Sequence, residues 1–231
     1  VFRYRSNNVA IALSMVAVWF IAVFSLAMIS VSQVGNFSHR SSVVISDNIQ
    51  CDNCQTLFLD MAEDRYQDYD EGLWDIDEFK AVIVDDDELM LGRPILDIER
   101  ASGDNFIITI RKISRGHSSE NARELAEDIN YDFQQKDSVL IFEPYFVLDE
   151  GDKWRDQEVR VTIKVPEEKA VHLGENMDEI IYDIENVTNT WDGDMIGKTW
   201  EMKPDGLTLR ESIKNSISDT LPSIQQEQQE Q

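Results

Sequence analysis

The chain has 231 residues, 42% hydrophobic and 29% charged, with 21 Lys and Arg against 45 Asp and Glu, for a net charge of −24. That length holds a domain with a core, and that charge repels phosphate backbones, which excludes a nucleic-acid-binding protein. Two cysteines are too few for a disulfide-built scaffold, and three scattered histidines cannot fill a metal site unaided.

Charge is distributed unevenly along the chain. No acid precedes Asp47, and residues 47–231 carry 18 bases against 45 acids. From Ser6 to Ser38 there is no charged residue, and Val9–Ile29 is apolar except for Ser14 and Ser25. Twenty-one residues at 1.5 Å each span the roughly 30 Å hydrocarbon core, so residues 1–35 are expected to form a transmembrane helix with a short basic flank. A secretory signal peptide would have a shorter apolar run and a small-residue cleavage site after it. Arg3 and Arg5 before the helix against Arg40 after it favour a cytoplasmic N-terminus and an extracytoplasmic C-terminal domain. Because residue 1 is Val, an upstream region is expected to precede it.

Residues 36–56, polar and rich in Ser and Asn, read as a juxtamembrane linker. The linker contains Cys51-Asp-Asn-Cys54, a spacing open to a disulfide, a redox pair or half a zinc site. No βαβ context or second ligand pair supports the last two, so a disulfide or idle thiols is the plainer reading.

Residues 57–210 then read as β. Ala81–Val84, Ile95–Ile98, Phe106–Ile110 and Val139–Phe142 are short β-forming runs bounded by turn residues. In Glu158–Val165, Val159, Val161, Ile163 and Val165 alternate with polar residues, so one face is buried, and Pro166 should end the strand. Ala170–Leu173, Ile180–Ile184, Thr199–Met202 and Leu207–Leu209 are further candidates. One helix interrupts the series, capped by Ser118 or Ser119, with Ala122, Leu125, Ala126 and Ile129 as its apolar stripe. The fold class expected is mainly β: a membrane helix, then an all-β sandwich or solenoid-like domain with one covering helix. In residues 211–231 a short helix over Glu211–Leu221 should give way to a disordered Gln-rich tail.

Little in the sequence announces catalysis. There is no Gly-x-Ser-x-Gly elbow and no phosphate loop, and His117 and His172 are isolated. Asp85–Glu88 and Asp192-Gly-Asp194 lack the alternating spacing of a calcium loop, so solvated turns are expected there. Asn36-Phe-Ser38 and Asn186-Val-Thr188 fit the glycosylation pattern. Neither a cofactor nor a metal is expected. The densest unusual stretch is Tyr182–Trp200, where Tyr182, Asn186, Asn189, Trp191, Asp192, Asp194 and Trp200 could form an interaction surface. Alternatively, Trp191 and Trp200 fill the end of the core.

The Ile–Thr–Ile strand, SRGHSSENARELAEDINYDF, KWRDQEVRVTIKVP and YDIENVTNTWDGDMIGKTWEMKPDGLTL together resemble Bacteroidetes-type phage shock protein C (PspC) proteins over residues 75–210. The resemblance implies an all-β, rack-like, adhesin-like extracytoplasmic domain at the bacterial inner membrane. It also implies envelope-stress sensing or signalling without known catalysis. The PspC module itself is absent from these residues. The expected protein is therefore an integral membrane one with protein partners in the envelope. A self-associating structural domain is the second reading, and an enzyme with an acidic site has no catalytic signature behind it.

Overall fold

A computed structural model describes residues 8–51, 54–66, 71–76, 79–84, 87–148 and 152–210. The apolar stretch has no polar face to lay against a core, and it forms a single helix, α1 (Asn8–Asn36). Its candidate membrane span, Ile11–Asn36, runs 26 residues at a mean hydropathy of 2.4, with none of the window buried inside the molecule. At about 39 Å it is long enough to cross a membrane. The basic flank containing Arg3 and Arg5 lies outside the described residues, as does the helix expected over Glu211–Leu221 with its tail.

No spacer follows the helix. Phe37 and Ser38 donate their amides to the carbonyls of Val34 and Gly35, closing α1, and β1 (His39–Asn48) begins at once. The expected linker over 36–56 is therefore corrected to a ten-residue strand. The strand is an edge held by backbone pairing, and only Ser41 and Val43 are even half-buried along it. Its side chains thus carry almost no period-two signal.

Four strands follow: β2 (Thr56–Met61), β3 (Glu71–Ile76), β4 (Phe79–Val84) and β5 (Asp87–Gly92). Next come β6 (Ile95–Arg100), β7 (Ile107–Gly116) and α2 (Ser119–Glu127). Ser118 caps α2, its hydroxyl accepting from the Asn121 amide, and Ala122, Ala126 and Ile129 are buried as the stripe requires. Then come β8 (Phe133–Lys136), β9 (Val139–Phe142), β10 (Phe146–Leu148), β11 (Glu158–Val165) and β12 (Ala170–Leu173). The last elements are α3 (Asp192–Met195), β13 (Thr199–Lys203) and β14 (Gly206–Leu209). The strand expected over Ile180–Ile184 is instead the exit of a 3-10 turn (Met177–Glu179) and one isolated parallel bridge, Leu96 to Ile181.

Three sheets result, ordered β1-β7-β11-β6, β10-β5-β4-β3 and β14-β13-β12-β2-β9-β8. Strands far apart in sequence pair in parallel: β6 with β11, and β2 with both β12 and β9. None of the sheets closes into a barrel. In β11 the four aliphatic side chains Val159, Val161, Ile163 and Val165 are fully buried, each contributing roughly 1.5–3 kcal/mol. In the β5–β10 pair Phe146 lies opposite Gly92, where any Cβ would meet its ring at 2.1 Å, so only glycine fits.

Two compact units emerge: one of Val1–Val43, Lys112–Ile129 and Asp152–Gln157, and one of Val44–Arg111, Asn130–Gly151 and Glu158–Gln231. The second holds most of the buried aliphatic core, including Leu57, Leu59, Leu96, Leu140 and Val161.

One buried group in that unit is unsatisfied. The Tyr131 hydroxyl has no hydrogen-bond partner, and burial, with the nearby Glu143 charge, pushes its ionisation far upward. Removing an unpaired buried hydroxyl lifts a desolvation penalty of about 1 kcal/mol. Tyr131→Phe is therefore expected to raise the Tm by about 2–4 °C in thermal unfolding by circular dichroism; a fall in Tm would show that the hydroxyl is bonded in solution.

Candidate functional site

The stretch from Tyr182 to Trp200 divides into an inside and an outside. On β13 the alternation Thr-Trp-Glu-Met-Lys turns Trp200 and Met202 inward. Trp200 is 1% exposed, and its indole Nε1 donates to the Met195 carbonyl at 3.0 Å. It is therefore removed from the expected interaction surface, since a strand's inward positions belong to the core. Trp191 is 82% exposed and Tyr182 is 69% exposed.

A carboxylate holds this outer face together. Asp192 accepts the Asp183 amide at 2.6 Å and the Ile184 amide at 3.0 Å, one on each oxygen. It thus fastens the chain carrying Tyr182 to the start of α3, just after Trp191. Asp192 is half-buried and both its oxygens accept backbone amides, so in place of the expected solvated turn it is a structural clamp. Asn186 does similar work. Its Nδ2 donates to the carbonyls of Ile184 and Thr190, and its Oδ1 accepts from the Thr190 amide at 2.7 Å. Asn189, in the left-handed region at φ +52°, completes that turn, donating its amide to the Asn186 carbonyl. Asp194 is exposed, and its carbonyl accepts from the Lys198 ammonium.

The surroundings are acidic. Burial pushes the Asp97 carboxyl up, against the hydrogen bond it accepts from the Ile98 amide, while Glu99, Glu185 and Asp183 push it further up. Among the described residues no group of three His, Cys, Asp or Glu is placed to hold a metal. Asp85 and Asp86 of the other acidic run lie outside the described residues. Cys51 and Cys54 are joined as a disulfide, with their Cα atoms 5.6 Å apart. His172 on β12 bonds the Thr199 hydroxyl at 3.0 Å and packs on Phe58.

A second constellation, at the end of α1, is one that sequence reasoning missed. The Phe37 ring lies 5.8 Å from the Trp154 ring and 5.4 Å from the Arg155 guanidinium carbon. The Phe37 carbonyl accepts from Arg115 at 3.4 Å, and Arg115 pairs with Asp156 at 2.6 Å. Residues 153–157 wrap around the buried Gln157 amide, which accepts from the Arg155 amide and donates to the Lys153 carbonyl. Asp156 there adopts a left-handed φ of +56°. The available signal was a Trp flanked by Lys and Arg in a chain so poor in bases.

The model of a family described as ToastRack, found in some PspC proteins, matches residues 85–215. The chain belongs to this ToastRack family. No curated protein and no solved structure matches the chain. The resemblance to PspC proteins read from the sequence is thereby shown. The matched ToastRack region runs from the edge of β5 to beyond β14 and contains the whole Tyr182–Trp200 face. Strands β1 to β4 precede it, yet β2 is interior to the six-stranded sheet.

Two measurements check the assignments within the ToastRack domain. Trp200→Ala should cost about 3–5 kcal/mol through the cavity it leaves, whereas Trp191→Ala should stay within about 0.5 kcal/mol in denaturant unfolding. Equal losses would put both rings in the core. For Asp97, the folded state holds its proton more tightly than the unfolded chain, so its ionisation costs stability as pH rises through the raised pKa. Asp97→Asn should raise the Tm at pH 7, the gain shrinking on acidification and vanishing below about pH 4, where both side chains are neutral. A gain independent of pH would remove burial as its cause.

Proposed function

We propose that this chain is a membrane-anchored module that recognises a protein partner in the bacterial envelope, serving envelope-stress signalling of the PspC type by binding rather than catalysis. In this reading the N-terminus is cytoplasmic and α1 crosses the inner membrane. The ToastRack domain then faces the extracytoplasmic side. The observation that carries it is the pair of exposed aromatics, Tyr182 and Trp191, on a segment fixed by the Asp192 clamp. Large aromatic side chains held in place before binding supply contact area at low entropic cost. With Asp183, Glu185 and Asp194 exposed nearby in sequence, the face suits a partner bearing Lys or Arg, which Trp also attracts through its ring.

Self-association is favoured by a different feature. β1 is a ten-residue edge strand with Val44 and Ile45 exposed, an open ladder another copy could extend.

A photo-crosslinking residue placed at Trp191, with Arg123 on α2 as control, separates the readings in intact cells. Recognition predicts a heterologous adduct at 191, absent at 123, whose yield changes when the envelope is perturbed. No adduct specific to 191 sinks the proposal. A homodimer formed through crosslinkers at Val44 and not at 191 would favour self-association.

A further inference from the structure

The cluster where α1 meets β1 is not used by the recognition face, and its composition runs against the rest of the chain. Leaving α2 aside, the described residues of that unit carry Arg40, Lys112, Arg115, Lys153 and Arg155 against Asp128, Asp152 and Asp156, and Arg115 pairs with Asp156. These residues outside α2 sum to +2 in a chain of −24. It lies at the mouth of the one described helix able to span a membrane. The candidate span ends at Asn36, which places Phe37 directly beyond it, within roughly a Debye length of the head groups, where basic side chains still feel anionic lipid.

The patch is also built rather than incidental. Gln157 is 4% exposed and holds the 153–157 turn from inside with both ends of its amide. The turn sets Arg155 over the Phe37 ring and Trp154 beside it, leaving Trp154 42% exposed. Aromatic rings with flanking Lys and Arg suit the membrane–water boundary, where rings sit among head groups and cations meet phosphates.

We propose that Phe37, Trp154 and Arg155, with Arg40 and Lys153 supplying further charge, form a seat for the head groups of anionic phospholipids at the exit of α1. The charged group recognised is a phosphodiester, and the seat takes it from the bilayer and not from solution. This rests on the reading of α1 as membrane-spanning. An acidic domain would be repelled by an anionic leaflet, and a basic collar at the one point of unavoidable approach offsets that repulsion.

The test is amide hydrogen exchange on the full chain in nanodiscs of phosphatidylcholine alone or with phosphatidylglycerol. Exchange across residues 153–156 should slow by roughly tenfold with phosphatidylglycerol, and high salt should abolish the effect. Lys153→Gln, an exposed position outside the ring stack, should reduce the difference between the two lipids, and Arg155→Gln should abolish it. Equal exchange in the two lipids overturns the inference. So does inorganic phosphate reproducing the slowing in phosphatidylcholine discs, because the ligand would then be a free anion. A chain that fails to enter nanodiscs at all overturns the membrane-spanning reading along with it, whereas insertion without lipid dependence overturns the seat alone.

Discussion

The fold depends on a strict two-residue alternation in β11. Its inward side chains Val159, Val161, Ile163 and Val165 are sealed from water, and the strand lies between β7 and β6 in its sheet. Because the period is two, a slip of one residue would expose all four aliphatics and bury Arg160 and Lys164 instead. Register with β6 is thereby fixed, Val161 opposite Leu96 and Ile163 opposite Ile98. The edge of β6 then receives the chain emerging from the 3-10 turn, where the Leu96 amide donates to the Ile180 carbonyl and the Tyr182 amide to the Leu96 carbonyl. The exposed segment from Tyr182 to Trp191 thus begins at a point whose position follows from β11.

Within that face, a few polar groups decide which aromatic is offered outward. Asp192 and Asn186 spend their hydrogen-bonding capacity on backbone groups. The turn they make needs left-handed residues at Asp183 and Asn189, positions Asp and Asn tolerate better than most. They hold the segment between Tyr182 and Trp191 in place and leave both rings exposed. The stretch most unusual in sequence is thus also one held by many side-chain to backbone hydrogen bonds.

How much of this was legible follows from where burial writes itself into side chains. β11, β9, β6 and α2 bury one face and expose the other, so their periods were readable. β1 buries almost nothing, and its pairing with β7 is made by backbone, which every sequence shares. The Ile180–Ile184 run is apolar because Ile180, Ile181 and Ile184 are buried, yet it forms one bridge and no strand, a distinction set by the neighbouring chain. Whether Trp191 or Trp200 faced solvent was readable only in part: the Trp-x-Met spacing of β13 marks Trp200 as inward, while nothing local marks Trp191 as outward. The junction around Phe37 was hidden because its members come from three separate stretches of sequence.

The parallel ladder through β2 has a consequence for how the protein is made. β2 pairs on one side with β9 and on the other with β12, both synthesised long after it. Pairings this distant in sequence form late. During synthesis Leu57 and Leu59, both destined for full burial, therefore emerge with no ladder on either side. That interval exposes an apolar strand with open edges, the kind of surface that chaperones guard and that aggregation exploits. The vulnerable moment in this molecule's life thus falls before β9 and β12 have been made.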